Sequence, residues 1–344
     1  MNVIDRVLGE QYDQLGLPAL GLARPLSTAL LTPRFVTSRH IVGLVFGAGS
    51  STPAVVAKLP RRPGDIGGVH QEAETLGALA RTEGAKVRGI PQVLGVVDAG
   101  RYAVLVETAL HGAPLDPACV NSGFGRALHA GLDFLKALPV TRSPENNADW
   151  YEVAVTRPLQ LLVDCAPLGG ESKQLVERTH EVLEPLRSVR LPGVFEHADM
   201  SHPNLLIGSN RLGVLDWERA SAHGLPGHDV VFFLQYLSES VASAYTRSEQ
   251  LSAFDQAFLR SGWARSVLHQ HLTERGVDPE LAAPLIVLTW ARSTATLVPR
   301  LLSDPLYGSS QNLPLPAAQL ATALSSDRDF FLWRHALDRA EVLR

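Results

Sequence analysis

The sequence predicts an α+β protein with two lobes, a small β-rich lobe followed by a larger helical lobe. From about residue 27 to 110, β-branched runs alternate with turn residues, which is typical of strands and hairpins. Beyond the Gly- and Pro-containing crossover "ETALHGAPLDP" (107–117), apolar residues recur at helical spacing instead. A chain of 344 residues suits such a division. We therefore expect an N-terminal lobe at 1–106, a hinge at 107–113 and a C-terminal lobe at 114–344.

The small lobe is predicted to contain two pairs of strands with a helix between the pairs. The Gly- and Ser-rich "GAGSST" (47–52) is typical of a hairpin turn between two β-branched runs. The helix is expected in "GVHQEAETLGALAR" (68–81), where apolar residues fall on one face. The four strands are expected within 38–46, 53–59, 91–100 and 101–110.

The large lobe is predicted to be mostly helical. The segment "GFGRALHAGLDFLKAL" (123–138) places four apolar side chains on one helical face. Thr246 and Glu249 have the spacing of a capping box, which indicates that another helix begins there. Further helices are expected at about 148–164, 172–188, 229–243, 279–302 and 316–341, the last with a break near "SSDRD".

The composition is that of a soluble globular protein, 45% hydrophobic and 19% charged, and a net charge of −4 gives no reason to expect a nucleic-acid partner. Asp5 and Glu10 stand where a signal peptide would be basic and then apolar. The longest apolar stretch, "LAAPLIVLTWA" (281–291), is too short to span a bilayer. Cys119 and Cys165 fit no metal or redox spacing. We therefore expect a cytoplasmic protein without a membrane partner.

The polar segment "EHADMSHPNLLIG" joins two short predicted strands, and a third strand follows it. His197, Asp199 and Asn204 lie on the loop, and Asp216 ends the next strand. The spacing His-x-Asp-x-x-x-x-Asn followed by a strand-terminal Asp is that of a kinase catalytic loop and its metal-binding aspartate. This chemistry needs one carboxylate to orient the attacking hydroxyl, and an amide oxygen and a second carboxylate to hold Mg²⁺.

Three segments carry a resemblance to a known family: "HADMSHPNLLIG" (197–208), "LGVLDWE" (212–218) and "GLPGHDVVFFL" (224–234). Together they resemble the aminoglycoside phosphotransferase and choline kinase-like family, which has a protein-kinase-like fold. The resemblance covers roughly residues 28 to 240, and the last hundred residues resemble the family only in being helical. It implies an enzyme that uses ATP or GTP and Mg²⁺ to phosphorylate a hydroxyl of a small molecule. Ala198 stands where protein kinases usually have an arginine, and no Ala-Pro-Glu segment follows, so protein substrates are disfavoured.

The resemblance assigns roles to the residues of the motif. Asp199 is expected to orient the acceptor hydroxyl, and Asn204 and Asp216 are expected to hold Mg²⁺. Lys58, at the end of the predicted strand "AVVAK", is expected to bind the α- and β-phosphates. The family register favours Glu72 as the carboxylate that holds this lysine, and Glu74 is the alternative.

The resemblance also places the nucleotide base and the supports of the loop. Backbone groups of the crossover at Thr108, Ala109 and Leu110 are expected to contact the adenine or guanine. His197 and Asp229 are expected to support the catalytic loop structurally. No Gly-x-Gly-x-x-Gly occurs in the first lobe, only "TPRFVTSRH" (32–40), where Thr37, Ser38 and backbone N–H groups would cover the phosphates. The choice between ATP and GTP therefore stays open.

The acceptor is less constrained than the reaction. The resemblance makes an antibiotic of the aminoglycoside, nucleoside or peptide type the leading class, which would make the protein a resistance enzyme, and a sugar, amino alcohol or other metabolite is the alternative. Acidic residues between 145 and 177 would suit a polycation, or they are ordinary helix-surface charges. A non-catalytic kinase-like binding protein is a less favoured possibility. A zinc metallohydrolase is also less favoured; its candidate ligands would be His197, Asp199, His202, Asp216 and His228. The oligomeric state is not determined by the sequence.

Overall fold

The computed structural model describes residues 2–31, 40–82, 87–165, 170–209, 211–303 and 317–344. The chain forms two compact units, each containing two stretches of sequence. The first unit contains most of the strands and the second contains most of the helices, so the α+β class is confirmed. The first comprises Met1–Ala113 and Asn204–Ala220, and the second comprises Pro114–Pro203 and Ser221–Arg344.

The first unit is built on a five-stranded antiparallel sheet with the order β1-β2-β3-β5-β4. The predicted hairpin around 47–52 is confirmed, because β2 and β3 pair antiparallel on either side of it. Two helices and one 3₁₀ turn accompany the sheet. Their bounds are α1 Val3–Glu10, the 3₁₀ turn Leu17–Leu20, β1 Ser27–Leu31, β2 His40–Phe46, β3 Val55–Pro60, α2 Gly67–Arg81, β4 Val93–Ala99 and β5 Tyr102–Thr108.

The two faces of this sheet bury different clusters, because side chains alternate along a strand. On β5, Val104 and Val106 pack into the cluster that contains the apolar side chains of α1. Ala103 and Leu105 point to the other face and pack against Val69 of α2. A side chain on the second face of a central strand therefore points toward α2.

A short hairpin, Asn204–Ala220, belongs to the first unit. Its strands β9 (Leu205–Ile207) and β10 (Leu212–Val214) pair antiparallel, and the 3₁₀ turn Trp217–Arg219 follows. The Val214 N–H donates to the Gly89 carbonyl at 2.8 Å. Gly89 has φ of +86° and a Cβ there would lie 2.0 Å from the Leu212 carbonyl oxygen, so this approach requires glycine.

The second unit is helical, with a small sheet of order β11-β8-β7. The Thr246 and Glu249 capping box is confirmed. The predicted helix at 316–341 is interrupted at Asp327, whose side chain caps the next helix. The helices are α3 Pro117–Ser122, α4 Phe124–Ala137, α5 Arg157–Cys165, α6 Gly170–Val182, α7 His228–Ala242, α8 Arg247–Phe258, α9 Trp263–Glu274, α10 Ala282–Ser303, α11 Ala317–Ser326, α12 Arg328–Asp338 and α13 Ala340–Leu343. The remaining elements are β6 Ala113–Pro114, β7 Val140–Arg142, β8 Gly193–Glu196, β11 Ser221–Gly224, the π-helical turn Glu152–Thr156, and 3₁₀ turns at Pro144–Asn146, Glu184–Leu186 and Pro279–Leu281.

Helix α10 is the central helix of the second unit and packs against α5, α7 and α12. The segment Pro279–Pro299 is long and apolar enough to cross a membrane by length and composition alone. However, 83% of that window is buried inside the protein. This is the burial expected of a core helix, whose apolar residues are covered by other helices.

Candidate active site

Lys58 is directed into a buried acidic cluster by its position on β3. Its neighbours Ala57 and Leu59 pack into the cluster on the α1 face, so Lys58 points to the α2 face. There its ammonium lies 2.6 Å from Glu72 Oε1 and 3.2 Å from Glu107 Oε1. Of the two glutamates considered from sequence, Glu72 contacts the lysine, and Glu74 is exposed to solvent.

The electrostatics of this cluster favour a charged lysine. Burial alone would lower the pKa of Lys58, but the carboxylates of Glu107, Glu72 and Asp216 outweigh it and raise the pKa above its ordinary value. Burial raises the pKa of Glu107 to about 7, against the opposing effect of Lys58 and with Glu72 and Asp216 adding to it. Three carboxylates thus face one ammonium, and the excess negative charge suits a cation.

Glu72 also fixes the backbone beside Asp216. Its Oε1 accepts a second hydrogen bond, from the Trp217 N–H at 2.8 Å. The Trp217 indole donates to the Val214 carbonyl at 2.9 Å, and the Leu215 N–H donates to the Asn204 carbonyl at 2.8 Å. These bonds hold the residues on either side of Asp216.

Asp216 itself has φ of +64° and ψ of +69°, a left-handed conformation that is uncommon for a residue other than glycine. A conformation of this kind is kept only when surrounding contacts determine it, and such residues cluster at functional sites. Lys58, Glu72, Asn204 and Asp216 are all brought into the first unit.

The loop that carries Asp199 is shaped by a buried carboxylate in the second unit. Asp229 accepts from the His197 N–H at 2.7 Å and from the Ala198 N–H at 2.8 Å, and Ala198 has φ of +65°. The fully buried His197 accepts the Asp199 N–H at its Nδ1, at 3.2 Å. Ser201 Oγ donates to the Asp199 carboxylate at 3.2 Å. Burial raises the pKa of Asp229 to about 7, with the charge of Glu196 adding to the shift and the two backbone N–H groups opposing it.

The strand before this loop is held by an ion pair that sequence reasoning missed. Arg292 of α10 donates to both oxygens of Glu196, at 2.9 and 3.1 Å, and the Leu225 N–H donates to the same carboxylate at 2.8 Å. Burial alone would raise the pKa of Glu196, but Arg292, His228 and the Leu225 N–H lower it to about 2. No local motif marks Arg292, since its partner lies far away in the sequence.

Arg328, at the start of α12, was also missed. Its Nε donates to both oxygens of Glu239, at 3.0 and 3.1 Å, and its Nη1 donates to Asp329 at 3.0 Å. The guanidinium lies 5.3 Å from the Phe232 ring centre and 5.2 Å from that of Trp290. Burial alone would lower the pKa of Arg328. The carboxylates of Glu239, Asp329 and Asp199 outweigh burial and raise the pKa above its ordinary value. Arg328 is therefore part of the electrostatic environment of Asp199.

Two further side chains lie beside Asp216. His40 Nδ1 is 3.3 Å from Glu218 Oε2. His40, Asp216 and Glu218 each present one possible metal-ligand atom, and these atoms all lie within 4.8 Å of one another. The sequence placed His40 at the end of the phosphate-covering loop without assigning it a role; Thr37 and Ser38 of that loop lie outside the described residues.

Two backbone N–H groups of the crossover already donate hydrogen bonds within the first unit. The Thr108 N–H donates to the Gln92 carbonyl at 2.9 Å, and the Ala109 N–H donates to the Ala54 carbonyl at 3.0 Å. Within the parts of the chain that the structure describes, no partner engages the Leu110 N–H. Of the three predicted base contacts, Leu110 is thus the one whose backbone N–H forms no hydrogen bond among the described residues.

Comparison with known proteins gives a family and a fold. The Phosphotransferase enzyme family matches residues 45–301, about three quarters of the chain. No curated protein matches the sequence. The matching solved structures confirm the predicted protein-kinase-like fold at low sequence identity.

Three of these structures illustrate the similarity. A mutant of aminoglycoside 2'-phosphotransferase IIIa in complex with GDP is 15% identical, with a TM-score of 0.55 over 97% of this chain and 99% of that chain. A thermostable mutant of aminoglycoside phosphotransferase APH(4)-Ia with AMP-PNP and hygromycin B is 14% identical, with a TM-score of 0.52 over 94% and 98%. The amicoumacin kinase hAmiN with AMP-PNP, Ca²⁺ and Ami is 14% identical, with a TM-score of 0.50 over 98% and 95%.

Proposed function

The chain belongs to the phosphotransferase enzyme family and is a small-molecule kinase, and from this premise we propose that it transfers the γ-phosphoryl group of ATP or GTP to a hydroxyl of an antibiotic. The observation that carries the proposal is the buried Lys58–Glu72 pair, 2.6 Å between Nζ and Oε1, with Asp216 close enough to raise the pKa of the lysine. A lysine held by a helix glutamate beside a metal-binding aspartate is the phosphate-binding arrangement of kinases.

The residues near Lys58 suit Mg²⁺ as the ion that accompanies the nucleotide. Asn204 offers an amide oxygen and Asp216 a carboxylate, and Mg²⁺ prefers such hard oxygen ligands. The surplus of carboxylates around Lys58 would be neutralised by a divalent cation. Mg²⁺ held by these residues would supply positive charge to neutralise the phosphates during transfer. Lys58 then binds the α- and β-phosphate oxygens, and Glu72 keeps its ammonium in place.

Asp199 is proposed to orient the acceptor hydroxyl and to accept its proton. Its position is determined by the buried contacts of His197 and Asp229, which hold the backbone on the N-terminal side of the loop. Because a loose phosphoryl-transfer transition state needs little covalent help, most of the rate enhancement would come from positioning and charge neutralisation. His197 and Asp229 are therefore assigned as positioning residues.

The nucleotide base is proposed to contact the crossover through the Leu110 N–H and the carbonyls near Thr108 and Ala109. Among the described residues the Leu110 N–H has no partner, whereas the N–H groups of Thr108 and Ala109 are occupied, and this supports the proposal. The solved structures carry AMP-PNP in two cases and GDP in another, so both ATP and GTP are retained as donors.

An antibiotic acceptor, and with it a role in resistance in the cytoplasm, is proposed because structures of the same fold hold hygromycin B in one case and Ami in another. The acidic residues considered from sequence do not single out a polycation. Asp149 and Glu152 form exposed ion pairs with Arg142 and Arg157, at 3.2 and 3.3 Å. The charges of Asp149 and Glu152 are thus already balanced at the surface, and they give no reason to prefer an aminoglycoside to a neutral or singly charged antibiotic.

The proposal is tested by melting curves of the purified protein with ATP or GTP, each with and without Mg²⁺. A nucleotide at a hundred times its Kd adds about 2.7 kcal/mol to the free energy of unfolding. For a chain of this size that corresponds to a rise in Tm of roughly 5 °C. We expect a Mg²⁺-dependent rise with at least one nucleotide. That nucleotide then serves as the donor in a screen of hydroxylated antibiotics for ADP or GDP release. No rise with either nucleotide contradicts the kinase assignment, and a rise without release by any antibiotic contradicts the acceptor class.

A further inference from the structure

Three possible metal-ligand side chains lie close together in the first unit, and one of them is the proposed magnesium ligand Asp216. His40 begins β2, Asp216 follows β10, and Glu218 lies in the 3₁₀ turn after it. Their possible ligand atoms all lie within 4.8 Å of one another, and His40 Nδ1 is 3.3 Å from Glu218 Oε2. His40 is only 9% exposed, so the imidazole is not an ordinary surface histidine.

The positions of these groups are determined by the fold. Trp217, between the two carboxylates, is held through its backbone N–H by Glu72 and through its indole by the Val214 carbonyl. The left-handed backbone at Asp216 turns the chain at the same point. Asp216 and Glu218 therefore sit on either side of a residue that cannot easily move.

The ring of His40 is oriented as well. His40 pairs with Pro60 in the sheet. Its Nε2 lies close to Gly68 of α2, and a Cβ added to that glycine would be 3.1 Å from Nε2. The side of the ring that carries Nε2 is thus packed against the helix. Nδ1 is left to face the carboxylates.

The chemistry of this donor set differs from that of a magnesium site. Mg²⁺ takes oxygen ligands and retains several waters. A neutral imidazole nitrogen with carboxylates suits transition metals, and nitrogen affinity rises from Mn²⁺ along the first row. We infer that His40, Asp216 and Glu218 form a mixed nitrogen–oxygen site that takes a transition-metal cation of the Mn²⁺ type and shares Asp216 with the proposed Mg²⁺ ligands. The inference rests on the proposed function, since it deepens the metal requirement of the same site.

The direct test is pulsed electron paramagnetic resonance of Mn²⁺ bound to the full-length protein without nucleotide. A coordinated imidazole gives a ¹⁴N coupling that oxygen ligands cannot give. We expect this coupling in the wild type and in His70→Gln, a histidine of α2 outside the cluster, and we expect His40→Gln to lose it. Removing even a residue that hydrogen-bonds to a metal ligand weakens metal binding about 10-fold or more. Loss of the His40 ligand should therefore weaken Mn²⁺ binding at least that much, and Mg²⁺ binding less.

A second variant separates loss of a ligand from loss of the fold. Glu218→Gln should weaken Mn²⁺ binding but retain the ¹⁴N coupling, because His40 is still present. Melting temperatures of both variants show whether the protein is folded. Absence of the coupling in the wild type, or absence of Mn²⁺ binding, overturns the inference and leaves His40 only as a side chain in contact with Glu218.

The outcome is distinguishable from a failure of the proposed function. Phosphoryl transfer is measured separately, with Mg²⁺ as the sole cation and ADP or GDP release as the readout. Nitrogen coupling without transfer would support the site and contradict the kinase. Transfer without nitrogen coupling would support the kinase and contradict the metal site.

Discussion

At the scale of single residues, Glu72 links Lys58, the proposed phosphate-binding lysine, to the segment that carries the proposed metal ligand Asp216. Its Oε1 accepts hydrogen bonds from both the Lys58 ammonium and the Trp217 N–H. The carboxylate is completely buried, and charge-assisted hydrogen bonds of this kind are roughly twice as strong as neutral ones. The placement of Lys58 and of the backbone next to Asp216 thus depends on the same side chain.

Replacing this charge should weaken nucleotide binding more than it weakens the fold. In Glu72→Gln the amide oxygen still accepts hydrogen bonds, but Lys58 loses the ionic part of its anchor. We expect KM for the nucleotide to rise about 10-fold, the equivalent of about 1.4 kcal/mol, in steady-state kinetics. Glu74→Gln, on the exposed face of the same helix, is the matched control and should behave as wild type. Equal effects of the two substitutions would contradict the role of Glu72.

Glu107 predicts a pH dependence of stability. Burial raises the pKa of its carboxyl from 4.5 to about 7 in the folded protein. Between these values the folded state holds a proton that the unfolded chain has released, so this group makes the free energy of unfolding fall as the pH rises from about 4.5 to 7. The slope for one proton is at most about 1.4 kcal/mol per pH unit. Glu107→Gln mimics the protonated form and should show a flatter profile in urea unfolding over this range.

The control for this measurement is Glu74→Gln, which should retain the wild-type slope. Parallel profiles for Glu107→Gln and the wild type would mean that Glu107 has no raised pKa in the folded protein.

At the scale of elements, α12 is tied to α7 by a partly buried network. Arg328 donates to Glu239 of α7 and to its neighbour Asp329, and Asp329 accepts from Ser293 of α10 at 2.6 Å. The guanidinium also lies against aromatic rings of α7 and α10. Arg328 and Asp329 lie beyond residues 45–301, where the family match ends, whereas their partners on α7 and α10 lie within it.

Breaking this network should destabilise the protein. Arg328→Met fills much of the same space but leaves two largely buried carboxylates without their cation, which costs about 3 kcal/mol. The surface pair between Arg178 of α6 and Asp338 of α12, at 2.9 Å and well exposed, is the comparison, because exposed pairs contribute at most about 1 kcal/mol. Denaturant unfolding of Arg328→Met and Arg178→Met should therefore differ clearly, and similar values would show that the Arg328 network is not buried in solution.

At the scale of the whole molecule, the residues assigned to nucleotide and metal belong to the first unit and the residue assigned to the acceptor belongs to the second. The division follows the chain, since Asn204 begins the hairpin of the first unit and Asp199 precedes it in the second. Binding and chemistry should consequently be separable by mutation.

The separation is tested with Asp199→Ala and Asp216→Asn. Asp199→Ala should lower kcat by roughly 10²- to 10⁴-fold, the usual contribution of a catalytic acid or base, while the Mg²⁺-dependent rise in Tm with nucleotide stays near the wild-type value. Asp216→Asn should lose both the turnover and the Mg²⁺-dependent rise. Normal turnover in Asp199→Ala, or an unchanged rise in Asp216→Asn, would refute the assigned roles.

Features that are local in the chain could be predicted from the order of the amino acids. Periodicity predicted most helices and the paired strands, because burial of one face imposes a repeat of 3.6 or 2 residues. The catalytic motif was also readable, since His197, Asp199 and Asn204 occupy one short loop whose spacing reflects a single chemistry. The choice of Glu72 over Glu74 as the contact of Lys58 needed the structure, because both lie on the same predicted helix and only packing decides which faces the sheet.

Contacts between distant segments could not be predicted in this way and became visible in the folded chain. Arg292 meets Glu196, Arg328 enters the surroundings of Asp199, and His40 meets Glu218, all without a sequence motif. Such pairs depend on how helices and strands pack, and a single arginine or histidine in a helical or strand pattern has no local signature of its partner. The physical reason is range: hydrogen bonds within an element are encoded by neighbouring residues, whereas ion pairs between elements exist only after the hydrophobic core has brought those elements together.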